Sequence, residues 1–323
     1  MPSAAAPALI GIAKLAAEGH VLDQKRKVQY RTLPTRKWIN RCDSERVPFD
    51  WTINPYRGCE FGCKYCYARY THEFMERWDS TSFETEIYAK DWDAGKFLEE
   101  LKAVREGQCL ALGTATDPYQ PAERRYFLTR NVLRVLAKTS GRRVYLTTKS
   151  DLVTRDIDLW SAVAKRNQVA ITMTVTTTDL VLARLLEPYA PRPDLRLRAV
   201  KLVADAGLRV GVIASPVLPL ITDNEENLDL IAQSAKTAGA VSFGANVLFL
   251  KPCSRRVFFP FLEDQFPHLA ARYRANYEHE AFLRGAYPER IRAMVRAIRL
   301  RHGLVERDAG ETRRELEQQL RLF

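Results

Sequence analysis

The chain has 323 residues, 46% of them apolar, enough to bury a core in one large α/β domain with appendages or in two smaller domains. No apolar run approaches the roughly 20 residues needed to cross a bilayer, and "ALIGIAKLAAEG" near the start lacks the basic-then-apolar order of a secretory signal. A cytoplasmic protein with no membrane partner is expected, and its formal net charge of +11 favours polyanions while also being the ordinary mark of a solvated basic surface.

In chain order, residues 1–45 carry the basic "DQKRKVQYRTLPTRKW", which has little periodicity. It reads as a solvated extension, with a nucleic-acid-contacting arm as the functional alternative. A first strand is expected near residues 51–57, followed by apolar runs at 109–113, 144–148, 169–176, 210–215 and 241–250, each with the look of a buried parallel strand. Helical patterns lie between them: "ERRYFLTRNVLRVLAK", "RDIDLWSAVAKR", "DLRLRAVKLVADAG" and "DNEENLDLIAQSAKTAG". Asp223 followed by Glu226 reads as a capping box, and Gly207 and Gly239 sit where helix C-caps belong. This α/β alternation gives about six units over residues 46–250 and predicts a partial (β/α)6 barrel of the TIM type, with functional groups at the C-terminal ends of its strands. Residues 251–302 mix basic and aromatic residues and become helical, and residues 303–323 form a charged tail.

Three of the six cysteines, Cys59, Cys63 and Cys66, are packed into "NPYRGCEFGCKYCYARYTHEF", while Cys42, Cys109 and Cys253 are scattered. That distribution predicts thiols and not a disulfide framework. Structural zinc takes four ligands in paired short spacings, and His72 is the nearby candidate for a fourth. A [4Fe-4S] cubane held by three thiolates instead leaves one iron open to another ligand.

The CxxxCxxC spacing directly after a first strand, with an aromatic before the third cysteine, resembles the radical S-adenosylmethionine superfamily. The segments "GCEFGCKYCYARYTH", "GTATDPYQPAE", "LTTKSDLVTRD" and "LARLLEPYAPRPDLRLRAVKLVADAGLRVGVIASPVLP" are similar in content and order to the spore photoproduct lyase-like family. The resemblance implies a [4Fe-4S] cluster on Cys59, Cys63 and Cys66 whose open iron is chelated by S-adenosyl-L-methionine. It also implies an electron donor such as flavodoxin or ferredoxin, and a 5′-deoxyadenosyl radical that abstracts hydrogen from the substrate. Carried over residue by residue, Lys149 matches the lysine that holds the cofactor's carboxylate, and Thr174 lies on the ribose side. Ser215 lies along the adenine with Tyr65 near it, and Thr116 and Asp117 of "TDPYQ" belong to the cofactor side. Tyr65 and Tyr67, flanking Cys66, match tyrosines that work with a hydrogen-returning cysteine. Here the sequence departs from the family, because Thr114 stands about where that cysteine belongs. Cys109, five residues earlier, points to the opposite strand face and reads as a packed thiol.

Arg192, Arg196, Arg198, Arg255 and Arg256 are candidates to meet phosphates at the barrel mouth, with Tyr119, Phe258 and Phe259 as stacking surfaces or, for the phenylalanines, core. Gln319–Phe323, "QLRLF", is similar to the pentapeptide that docks bacterial repair proteins on the sliding clamp. The expected function is a radical S-adenosylmethionine lyase that repairs a damaged base in DNA. The alternatives are a radical enzyme modifying RNA or protein, and a non-catalytic iron–sulfur sensor.

Overall fold

The computed structural model describes residues 9–25, 27–43 and 47–306. Among them lie the strands β1 (Val21–Lys25), β2 (Val28–Leu33), β3 (Ile39–Arg41), β4 (Trp51–Ile53), β5 (Tyr56–Arg57), β6 (Glu86–Lys90), β7 (Cys109–Leu112), β8 (Arg143–Thr148), β9 (Gln168–Thr174), β10 (Val210–Val217) and β11 (Ser242–Val247). The Gln319–Phe323 motif, and with it the expected clamp contact, lies outside the described residues.

The six expected strand positions make one sheet in the order β11-β10-β9-β8-β7-β4, all parallel, with β3 antiparallel on the β4 edge. Runs such as "CLAL" in β7 are buried throughout, as strands covered on both faces require. The covering helices each turn one apolar stripe inward. Helix Glu225–Thr237 buries Leu228, Ile231, Ala232 and Ala235, an i, i+3, i+4, i+7 stripe. Helix Pro193–Asp205 buries Ala199, Val200 and Val203 in the same manner. With Ile231 fully buried, truncation to Ala would cost about 2–5 kcal/mol.

Gly207 (φ 75°) and Gly239 (φ 88°) terminate their helices in the left-handed region, as expected of C-caps. The capping box expected at Asp223 and Glu226 does not form, because the N-cap lies one residue later. Asn224 is the N-cap, its side chain accepting from the Asn227 amide, while the Asp223 carboxylate accepts from the Leu220 amide and the Tyr287 hydroxyl. The strand expected over 51–57 is two strands in two sheets, split at Asn54 and Pro55, since proline has no amide to continue a ladder.

The basic segment expected as an extension is instead folded. β1 and β2 form an antiparallel hairpin, β2 pairs in parallel with β6, and β6 pairs with β5, giving a second sheet ordered β1-β2-β6-β5. Helix Gly11–Glu18 packs against β2. After β11 the chain forms helices Pro252–Gln265, Pro267–Tyr277 and Ala286–His302; the first buries Phe258 and Phe259, which are core and not stacking surfaces. Among the described residues no helix is long and apolar enough to cross a membrane.

Candidate active site

The three clustered cysteines sit on a loop that leaves β5 past the C-terminal end of β4. Gly58 turns the chain there at φ 81°, and a Cβ at that position would lie 2.8 Å from the Glu86 carbonyl and 2.9 Å from the Phe83 carbonyl, so only glycine fits. Several other elements hold the loop. The Gly58 carbonyl accepts from the Thr116 hydroxyl at 2.6 Å and from the Gln120 amide at 3.0 Å, and the Gln120 side-chain oxygen takes the Glu60 N–H at 3.1 Å. Arg69, 4% exposed, donates to the carbonyls of Cys63 (3.2 Å) and Ser80 (2.7 Å) and pairs with Glu84. The Lys64 N–H reaches the Leu186 carbonyl at 2.9 Å, and the Ser254 hydroxyl donates to the Cys66 carbonyl at 2.8 Å.

Cys59 and Cys63 are buried, Cys66 is half-buried, and no cysteine of the chain is in a disulfide. Burial pushes all three thiols up, Cys63 to about 12, so their thiolates require a cation among them. His72 does not supply a fourth ligand to them: its Nε2 pairs with the Glu86 carbonyl at 2.9 Å, and its ring lies between Phe83 and Tyr88. Among the described residues no three His, Cys, Asp or Glu side chains converge on a single ion's position. A cubane instead takes one thiolate per iron, and three thiols with no fourth ligand fit it.

Of the residues expected to meet the cofactor, Asp117 and Lys149 are brought together at the ends of β7 and β8. The Asp117 carboxylate accepts from the Thr148 hydroxyl (2.7 Å) and from the backbone amides of Tyr119 (2.9 Å) and Lys149 (2.8 Å), which fixes the ends of β7 and β8 to each other. Desolvation holds the Asp117 carboxyl above its ordinary range. The Lys149 ammonium lies 5.7 Å over the Tyr65 ring. Burial alone would lower its pKa, but Cys63 and Glu187 beside it outweigh that and raise it. Thr174 is buried at the end of β9, and Ser215 is half-buried in β10. The Thr116 hydroxyl is committed to Gly58 and acts as an anchor of the cysteine loop.

The two tyrosines beside Cys66 part company. Tyr65 points inward, and its hydroxyl donates to the Glu187 carboxylate and lies 3.2 Å from the Thr176 hydroxyl. Tyr67 is 40% exposed, and its hydroxyl donates to the Thr114 carbonyl. Thr114 itself is tied to Asn54 by a 3.0 Å bond from the Asn54 amide. Cys109 begins β7, at the strand end opposite Thr114, and is buried.

Sequence reasoning missed the group beneath Tyr65. Arg196, expected to meet phosphates, is 1% exposed and pairs with Glu187 at 2.5 Å, while also donating to the carbonyls of Pro191 and Thr174. As one of three arginines in "RPDLRLRAV" it looks like helix surface, and no local signal links it to Glu187. The other arginines are also engaged: Arg192 with Asp194, Arg255 with the Glu278 carbonyl and Arg256 with Glu73; Arg198 is exposed. Tyr119 is buried, its hydroxyl accepting from the Trp160 indole, so it offers no stacking surface.

A parallel βα array with three thiols on the loop after its first strand defines a radical S-adenosylmethionine enzyme, and the model of the Radical SAM superfamily matches residues 53–231. The chain belongs to that superfamily, which uses a [4Fe-4S] cluster and S-adenosylmethionine and needs an electron donor. Uncharacterized protein Rv2578c of Mycobacterium tuberculosis is 36% identical over 77% of this chain and 73% of its own. Uncharacterized protein MJ0683 of Methanocaldococcus jannaschii is 29% identical over 75% of this chain and 85% of its own. Among solved structures, spore photoproduct lyase complexed with dinucleoside spore photoproduct has a TM-score of 0.60 at 14% identity, covering 84% of this chain and 79% of that one. A mutant of that lyase with bound AdoMet and the same dinucleoside gives 0.61 at 14% identity, with the same coverage.

Proposed function

We propose that the chain is a DNA-acting radical lyase that repairs a covalently damaged base, with Cys59, Cys63 and Cys66 holding the cluster and Lys149, Asp117, Thr174 and Ser215 lining the cofactor's place. The observation that carries the substrate class is an aromatic and cationic rim next to the cysteine loop. Tyr67 lies 5.9 Å from Phe249, Phe249 stacks on Phe282 at 4.2 Å, and the Lys251 ammonium stands 3.7 Å over the Tyr70 ring. Tyr67 and Phe282 are each 40% exposed. Partly exposed rings with a cation among them suit unstacked bases and their phosphates. A spore photoproduct lyase structure of the same fold is complexed with dinucleoside spore photoproduct.

When bound, the cluster and S-adenosylmethionine supply the one-electron chemistry that starts hydrogen abstraction. The chain's own residues do the rest. Lys149 offers an ammonium to a carboxylate, Tyr65 is held by Glu187 as a neutral donor, and the loop anchored by Thr116 and Gln120 keeps the thiols in place. At Thr114 the aliphatic O–H bond is too strong to return a hydrogen atom. The Tyr67 phenol, at the same spot and with a weaker O–H bond, is the hydrogen-returning group in this reading. It gives its hydrogen atom to the product radical and becomes a phenoxyl radical, which the electron donor reduces with uptake of a proton.

The test is anaerobic incubation of reconstituted protein with reductant and ultraviolet-irradiated DNA, undamaged DNA or RNA, following lesion loss and 5′-deoxyadenosine. Irradiated DNA alone should support lesion loss, Tyr67→Phe should divert the product, and Thr114→Cys should restore clean repair in that background. Equal 5′-deoxyadenosine release with all three polymers and no lesion loss would rule the reading out.

A further inference from the structure

The ends of β2 and β6, helix Gly11–Glu18 and Arg57, two residues before Cys59, line an open pocket of about 320 Å³. Its polar lining is cationic: Arg57 and Lys90 lie within it, Arg36 and Lys37 stand exposed around it, and Asn40 adds an amide, with no carboxylate among the lining residues. Lys90 is 7% exposed, and its ammonium has one carbonyl partner, that of Lys37 at 3.3 Å, and the Trp38 ring at 5.2 Å. The buried Nε of Arg57 has no hydrogen-bond partner. The carboxylate that acts on Lys90, Glu100, lies outside the lining; one oxygen accepts from the backbone amides of Trp38 and Ile39, at 2.8 and 2.9 Å, and the other is buried without a hydrogen-bond partner.

A buried Lys90 with a half-buried Arg57 acting on it is costly, because each loses hydration and repels the other, and Glu100 offsets this only in part. The Lys90 ammonium records that cost: burial first, then Arg57, push it down to about 7, with Glu100 only partly opposing them. The single carbonyl bond and ring contact of Lys90 leave most of its donor capacity unused, and a bound anion would reduce the penalty. Tetrahedral oxyanions match such sets of lysine and arginine donors, and the volume admits a phosphate with an attached sugar.

We infer that the pocket between β2, β6 and helix Gly11–Glu18 binds a phosphate group through Lys90 and Arg57. The group comes either from a nucleic-acid backbone or from free phosphate or a mononucleotide. The inference is independent of the lesion reading, since none of the pocket's lining residues is among those named for that reading.

The test uses the full-length reconstituted protein and Lys90→Met, which removes a buried cation and should fold at least as well. Titrating inorganic phosphate and AMP against chloride at equal ionic strength, with the thermal midpoint and the ³¹P line width as readouts, should show saturable binding. In Lys90→Met that binding should weaken about tenfold or more, as loss of a charge-assisted bond implies. For the source, a single-stranded oligonucleotide is titrated at several salt concentrations. A backbone source predicts that Lys90→Met lowers the slope of log K against log salt by about 0.7. A free-phosphate source predicts an unchanged slope with phosphate binding still lost. If phosphate and AMP bind no better than chloride, or bind Lys90→Met as well as the wild type, the inference is wrong.

Discussion

The ion pair beneath Tyr65 offers the most demanding check on this account of the site. Glu187 and Arg196 meet at 2.5 Å with each side chain 1% exposed, and Glu187 also accepts from Tyr65 and from Thr176, the latter at 2.8 Å. Changing Glu187 to Gln keeps the volume but leaves a guanidinium buried without its counter-charge, a loss of about 3–5 kcal/mol. Burial by itself would raise the Glu187 carboxyl; Arg196 and Lys149 outweigh it and hold it below its ordinary range. A depressed carboxyl contributes stability that is complete above its unfolded value, about 4.3, and lost as pH falls through the folded value. The gap between wild type and Glu187→Gln, measured by anaerobic urea unfolding, should therefore be constant from pH 8 to pH 5 and close only at lower pH. The double variant Glu187→Leu with Arg196→Met should recover much of the loss, because both desolvated charges are gone. A single-variant cost below about 1 kcal/mol, or a gap that already closes between pH 7 and 5, would show that the pair is solvated in solution.

Two further outcomes are expected. Cys59→Ala, Cys63→Ala and Cys66→Ala should each abolish the iron–sulfur absorbance and the reductive release of 5′-deoxyadenosine, while far-ultraviolet circular dichroism stays as in the wild type; a variant that keeps full cluster content would remove its cysteine from the ligand set. Burial lowers His72 to about 4 from 6.5, so the unfolded chain takes up its proton first, and acidification across that window should remove roughly 3 kcal/mol of stability. His72→Gln should flatten the stability profile between pH 6.5 and 4, and an unchanged slope would refute the assignment.

The sequence by itself carried the six parallel strands, because each is an apolar run punctuated by an amphipathic helix, and burial on both faces leaves that pattern in the residues. The cysteine loop was legible there too, since Cys59, Cys63 and Cys66 lie within one loop and their spacing is local. Long-range pairing was decided only by the tertiary structure. "VQYRTL" buries Tyr30 and Leu33, three residues apart, and becomes a strand through β6, which lies more than fifty residues away. Pro55, by interrupting the ladder, sends one expected strand into two sheets. The division of Tyr65 and Tyr67 between interior and mouth depends on partners at Glu187 and Thr114, 122 and 47 residues distant. Arg196 shows the reason most directly: the charge that looked available for a phosphate is consumed by a carboxylate brought to it by the turn after helix Leu180–Leu186, and desolvation at that depth leaves neither group a choice of partner.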